Sequence, residues 1–240
     1  MTGNRISTQL RRMRRDWDRR ARENARFYVA TLQDQWSDEE FYRSGEQTFQ
    51  EQILTDLENI CQGKDPRQMN VLEIGCGAGR VTRALGQHFG QVYAVDISPE
   101  MVRQARRGLA AFPNVRIFRN NGRDLAVVGG SWWSRWGIGR KLQLDFAFSC
   151  IVFQHIPSRE IIESYVREVN RRLRPGALFK FQVQGSPRVK ADADDTWVGV
   201  SFSEREAREM AGRCGFDMRY QTGAGSQYYW LWFFKEREIR

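Results

Sequence analysis

The chain is poor in the residues that staple or metallate small domains: its 240 residues include four cysteines and two histidines. Cys61, Cys76, Cys150 and Cys214 are widely spaced and make no C-x-x-C pair, and His88 and His155 are the only imidazoles. Neither a disulfide framework nor a zinc site is expected, and no metal is assigned. Long apolar runs are missing as well. No stretch approaches the length of a membrane span, and the amino terminus lacks the apolar core of a secretory signal. Its arginines suggest a transit peptide only until Asp16, Asp18 and Glu23 are counted. There is no internal repeat and no long low-complexity segment. These absences leave a cytoplasmic globular protein as the expectation, and with 41% hydrophobic residues it has material for one sizeable core.

Between Val71 and Arg80 the sequence reads VLEIGCGAGR. Val71, Leu72 and Ile74 make the short apolar run of a strand covered on both faces, interrupted by the acid Glu73. Gly75, Gly77 and Gly79 then remove Cβ atoms from a turn that opens a helix, so a ligand can lie against the backbone. A dinucleotide requires a third glycine three residues after the second. That position is Arg80, whose bulk disfavours a pyrophosphate.

Helical character follows from Val81 to Phe89, with Gly90 expected as a left-handed cap. Val92, Ala94 and Val95 give a second strand that ends on Asp96, and Pro99 opens the next helix. An acid at that strand end can accept hydrogen bonds from both hydroxyls of a ribose. Ile97 and Met101, just beyond it, are placed with the cofactor contacts. A third strand, Val115 to Arg119, leads into NNGRDL, and a fourth, Leu144 to Ser149, runs into CIVFQHIPS. The remainder reads as a helix from Ser158 to Leu173, the breaker RPG, and a strand through Leu178, Phe179, Phe181 and Val183. A helix opened by a Ser203/Glu206 capping box follows, then strands at Asp217 to Tyr220 and Tyr228 to Phe234.

An acid followed by G-x-G-x-G, a second-strand acid and two terminal strands resembles the class I S-adenosylmethionine (SAM) methyltransferases, of the small-molecule, type 11/25-like kind. The resemblance covers roughly residues 66 to 240. It implies an α/β fold, a doubly wound, seven-stranded, mostly parallel Rossmann-like sheet with the last strand antiparallel, carrying an N-terminal helical extension. On that basis residues 1–65 are assigned to the extension or lid, and 66–240 to the SAM-binding domain. The implied cofactor is SAM. Gly75, Cys76, Gly77, Gly79 and Arg80 form its turn, and Glu73 supports the amino-acid end through that loop. Asn121 stands where the family places an aspartate for the adenine amino group, and its amide oxygen can accept the same bond without charge. The N–H of Gly122 is aimed at a ring nitrogen, and the Cys150 carbonyl at the methionine ammonium.

Nine arginines against three acids in residues 1–30 give +6 of the chain's net +9. Ile6, Leu10, Met13, Trp17 and Ala21 recur every three or four positions, which makes an apolar stripe on a basic helix. Two readings stand: contact with nucleic acid or an anionic membrane surface, or a helix that docks its stripe on the domain and leaves its arginines in water. A second helical region carries Phe27, Tyr28, Trp36, Phe41 and Tyr42, then an amphipathic run of Phe49, Ile53, Leu57 and Ile60. In proteins of this layout such helices cover the cofactor and help form the acceptor pocket.

Two insertions bear on acceptor choice. Gly129 to Lys141 interleaves Trp132, Trp133 and Trp136 with Arg135, Arg140 and Lys141, suited to stacking on bases, to a membrane interface, or to inward packing in place of a crossover helix. Gly185 to Val200 carries Asp192, Asp194 and Asp195 beside Trp197, either an attraction for a cationic amine or a solvated acidic loop. His155, at the carboxyl edge of the sheet, is the candidate general base; the alternative is a histidine that orients its loop. The expected function is methyl transfer from SAM to a small-molecule acceptor. The alternatives are an RNA methyltransferase using the basic helix, or a non-catalytic SAM-binding partner protein. The segment CIVFQH, where amine-methylating enzymes of bases commonly carry an N-P-P-Y type motif, weakens the RNA reading.

Overall fold

The computed structural model describes residues 2–31, 33–129, 142–189 and 196–236. Seven strands form one sheet: β1 (Asn70–Ile74), β2 (Gln91–Asp96), β3 (Val115–Arg119), β4 (Leu144–Ser149), β5 (Leu173–Val183), β6 (Phe216–Thr222) and β7 (Tyr229–Lys235), in the spatial order β3-β2-β1-β4-β5-β7-β6. Pairings among β1 to β5 are parallel, and β7 runs antiparallel to both β5 and β6. Strand order reverses between β1 and β4, so the crevice beyond their carboxyl ends is where an open α/β sheet receives a ligand. The strands form for the reason read in the sequence. β4 is buried throughout and β1 from Val71 on, as a parallel strand covered on both faces demands.

The helices are α1 (Thr2–Val29), α2 (Asp38–Gln52), α3 (Leu57–Cys61), α4 (Arg80–His88), α5 (Pro99–Gly108), α6 (Arg159–Arg172) and α7 (Glu204–Arg213). Side-chain caps from Ser98, Ser158 and Ser203 start α5, α6 and α7, the last with the Glu206 capping box. Ser37 and Glu40 make a second capping box at the start of α2. α1 is broken at Asn24, which adopts extended backbone (φ −164°, ψ 85°) and accepts the Phe27 N–H on its side chain. No described helix is long and apolar enough to cross a membrane.

Two local expectations are corrected. Gly90 is not in the left-handed region; α4 ends on an extended Phe89, and glycine is required because a Cβ at position 90 would lie 2.2 Å from the Arg67 carbonyl oxygen. The RPG segment does not precede β5 but lies within it, where Gly176 (φ 79°) accompanies a register shift opposite Leu144/Phe146.

The stripe of α1 is docked. Ile6, Met13, Ala21 and Ala25 are buried, and Ile6 and Met13 join the core cluster that holds Leu72, Ile74 and Val95. Polar bonds fix the same helix. Asp18 accepts from Ser98 Oγ and from the Glu100 N–H at the start of α5, and Asp16 accepts from Thr196 Oγ1. Asp16 and Asp18 therefore point inward while Glu23 and Arg11, Arg14, Arg15, Arg19 and Arg22 stay exposed.

Candidate active site

A cavity opens at the carboxyl ends of β1, β2 and β4. Ile74, Gly75 and Gly77 form one wall, and Val95, Asp96, Ile97 and Met101 another. Cys150, Ile151 and Val152 follow β4 into it, and Met13, Trp17, Tyr28 and Val29 from α1 form the roof. No lysine, arginine or histidine is among the described lining residues.

The glycine turn is tightly built. Gly75, Gly77 and Gly79 have φ of 74°, 52° and 91°, and a Cβ on Gly75 or Gly77 would stand 2.3 Å from Val152 or 2.6 Å from Val29. Four of its N–H groups are spoken for: Gly75 and Cys76 donate to the Val95 carbonyl, Gly77 to Asp96 Oδ2, and Gly79 to the Cys76 carbonyl. A pyrophosphate needs such donors free and pointing outward. The turn thus disfavours a dinucleotide on grounds more direct than the size of Arg80.

Asp96 is held by N–H donors from Gly77 (2.9 Å) and Ser98 (2.8 Å). Burial nonetheless pushes its carboxyl up to about 6, with these bonds acting in the opposite sense. Glu73, one strand-face inward, accepts from Thr82 Oγ1 at 2.6 Å and is pushed up to about 7 by burial. It does not line the cavity, so any support it gives runs through the fold of the turn.

Other candidate residues are elsewhere. Arg80 is buried against α2, donating to the Ser44 carbonyl and Thr48 Oγ1, and anchors the N-terminal helices instead of facing the cavity. Cys76, Gly79 and Gly122 are buried beside the cavity without lining it; a Cβ on Gly122 would meet Ile97 and Leu10. Asn121 is exposed, and its Oδ1 already accepts from the N–H groups of Arg123 and Asp124 in its own turn. Its neighbour Asn120 takes the place in the wall: it is 4% exposed, its Nδ2 donates nowhere but to Tyr165 Oη (2.7 Å), and its Oδ1 is buried without a partner. Strand alternation explains the swap, since adjacent residues leaving β3 face opposite sides.

His155 is buried between Trp17 (5.3 Å) and Trp197 (5.1 Å) ring centroids. Its Nδ1 bonds the Trp197 carbonyl and its Nε2 contacts Gln154 Nε2 at 3.2 Å. Both ring nitrogens serve the loop and neither lines the cavity, so the base role gives way to the loop-orienting one. The sequence did not point to Asn120, Ile151 or Tyr165. A left-handed Ile151 (φ 57°) has no signature in an apolar run, although for a β-branched residue it costs about 1–2 kcal/mol. The tryptophans at 132, 133 and 136 and the acids at 192, 194 and 195 lie outside the described residues.

Residues 72–179 match the family model described as a methyltransferase domain. The chain is 22% identical over 158 residues to the dTDP-3-amino-3,4,6-trideoxy-alpha-D-glucopyranose N,N-dimethyltransferase of Streptomyces venezuelae, which covers 65% of this chain and 59% of that protein. It is 39% identical over 69 residues to the biotin biosynthesis bifunctional protein of Bordetella avium, covering 28% and 14%. The chain thus spans less than two thirds of either relative. Among solved structures, the magnesium protoporphyrin IX methyltransferase of Synechocystis PCC 6803 superposes with a TM-score of 0.64 at 17% identity, covering 95% of this chain and 100% of that one. At that identity the likeness is one of fold.

Proposed function

We propose that this chain, which carries a methyltransferase domain with the class I SAM-dependent fold, transfers the methyl group of SAM to a small-molecule acceptor. One observation carries the reading: the cavity at the switch point of the sheet holds a half-buried carboxylate and no cationic side chain among its described lining, beside a glycine turn in which the N–H groups of Gly75, Cys76, Gly77 and Gly79 are already used. That environment suits a cationic nucleoside and repels a phosphate. The residues fit the cofactor. Asp96 accepts from the ribose hydroxyls, the unpartnered Asn120 Oδ1 accepts from the adenine amine, Ile97 and Met101 pack on the base, and Gly75 and Gly77 leave room for the chain.

SAM supplies a methyl group already activated by its positive sulfur. The protein aligns donor and acceptor and keeps water out. Trp17, Tyr28 and Met13 do this from above, their faces and thioether favouring a sulfonium and an apolar or aromatic acceptor. The described lining holds no histidine or lysine, and its titratable groups are Tyr28, Asp96, Cys150 and Tyr165. A roofed cavity admits a small molecule more readily than a structured RNA, which would have to extrude a base under α1.

The test is a thermal-shift titration with SAM, followed by an acceptor screen reading S-adenosylhomocysteine release. SAM is expected to raise the midpoint of the wild type, and Asn120→Leu to reduce the shift at equal SAM concentration, roughly as a tenfold weaker site. No shift in the wild type at millimolar SAM overturns the reading.

A further inference from the structure

Ile151 sits in the left-handed region, which an isoleucine adopts only when its surroundings impose it, and it lies in the wall of the cavity next to Cys150 and Val152. What imposes it is a side chain from another strand. The Ile151 N–H donates to Oε1 of Gln182 at 3.0 Å, and Gln182 is fully buried on β5. With its oxygen so used, Gln182 must donate through Nε2, and it does so to Gln154 Oε1 and to the Gln227 carbonyl (3.2 Å). Gln154 then has only Nε2 to offer His155, so His155 Nε2 is the acceptor and its proton resides on Nδ1, facing the Trp197 carbonyl. Each amide orientation forces the next. The direction of the whole chain is fixed at both ends, by the Ile151 N–H at the cavity wall and by the Gln227 and Trp197 carbonyls, which can only accept.

The far end of this chain lies at the roof. Trp197 packs on Trp17 (6.2 Å) and Tyr28 (5.9 Å), the two aromatic rings of α1 that cover the cavity. The segment around Trp197 is also pinned by backbone, with Gly199 donating to the Gln154 carbonyl at 2.7 Å and Val200 to the Ile156 carbonyl at 3.1 Å. At the near end, Val152 fills the space that a Cβ on Gly75 would take, so the segment after β4 is keyed into the glycine turn.

From this geometry we infer that Gln182 is a positioning residue. It holds Cys150–Val152 in the conformation that forms the donor side of the cavity and, through Gln154 and His155, ties that conformation to the aromatic roof on the acceptor side. The inference rests on the SAM reading above. Gln182 touches no cofactor; it acts through Ile151. Removing its oxygen frees the Ile151 peptide to relax to negative φ, which turns the Cys150 carbonyl and shifts Val152 off Gly75. Glycine at 151 has no such preference, and keeps the left-handed conformation without help.

The experiment measures SAM affinity by calorimetry on the full chain for the wild type, Gln182→Leu, Ile151→Gly and the double variant, with midpoints recorded to confirm folding. Gln182→Leu is expected to weaken SAM about tenfold, and Ile151→Gly, which removes a side chain from the cavity wall, is the reference against which the double variant is read. The double variant is expected to recover most of the loss, a rescue that a general packing defect does not produce. Gln182→Leu binding as wild type, or a double variant no better than Gln182→Leu, overturns the proposal. If Gln182→Leu is too unstable to titrate, Gln182→Met, closer in shape, is read by the same rescue. Failure of the wild type itself to bind SAM refutes the cofactor reading instead.

Discussion

Asp96 shows how one side chain can be legible in sequence and still hold a surprise. Its place at the end of β2 follows from an apolar run that stops on an acid, but its burial, which raises it to about 6, depends on the roof that a distant helix provides. Ribose hydroxyls donate more strongly to the ionised form than to the neutral acid, so on the proposed function SAM binding favours release of the proton below that value. SAM affinity is expected to hold steady above pH 7 and to fall below about 6, by at most about tenfold per unit. Calorimetry at several pH values, in buffers of different ionisation enthalpy, checks both the slope and the proton count. An affinity flat from pH 5 to 8 would sink it. Asn121 and His155 mark where spacing and hydrogen bonding part. Each is a residue type suited to its role and adjacent to the right place, yet a turn claims the Asn121 oxygen and a loop claims both His155 nitrogens. Hydrogen bonds to partners two or forty residues away decide such cases, and spacing does not reveal them.

At the scale of elements, the strands were readable because parallel burial writes continuous apolar runs, and three helix starts because serine caps are local. Gly90 and RPG were misread because a carbonyl from Arg67 and a bulge against β4 are tertiary facts. β1 and α4 also share a buried acid, Glu73 on Thr82, with Arg80 nearby. Its folded value of about 7 exceeds the ordinary 4.5, so the fold binds its proton more tightly than the unfolded chain does. The resulting stability is complete below about 4.5 and is lost as pH rises through about 7, at most about 3 kcal/mol. Glu73→Gln keeps a hydrogen bond for Thr82 and removes the charge. Urea melts from pH 5 to 8.5 are expected to show a smaller decline for the variant than for the wild type, with the Asp96 share remaining in both.

Across the whole molecule, charge and cavity are divided by one helix. The basic helix read in the sequence has most of its arginines outward, Arg20 turned in to Thr196, and Asp16 and Asp18 bonded inward, to Thr196 and to the start of α5, while its apolar face roofs the site. The docked reading of that stripe holds for its apolar side, because Ile6, Met13 and Ala21 complete a core that the sheet alone leaves open.

The break at Asn24 gives that helix a second property. Residues before it carry Met13 and Trp17 and those after it carry Tyr28 and Val29, so on the proposed function a nucleoside entering or leaving passes a roof built from both halves. Traffic through a joint of this kind sets the pace of repeated cycles independently of how fast the methyl group moves. Rapid-quench measurement is expected to show a burst equal to one turnover per protein, then a slower steady rate, and Asn24→Ala, which favours an unbroken helix, is expected to lower the steady rate severalfold while sparing the burst. A linear first turnover would place the slow step in the chemistry. The chain's tempo, on this view, is set by a single residue that declines to be helical.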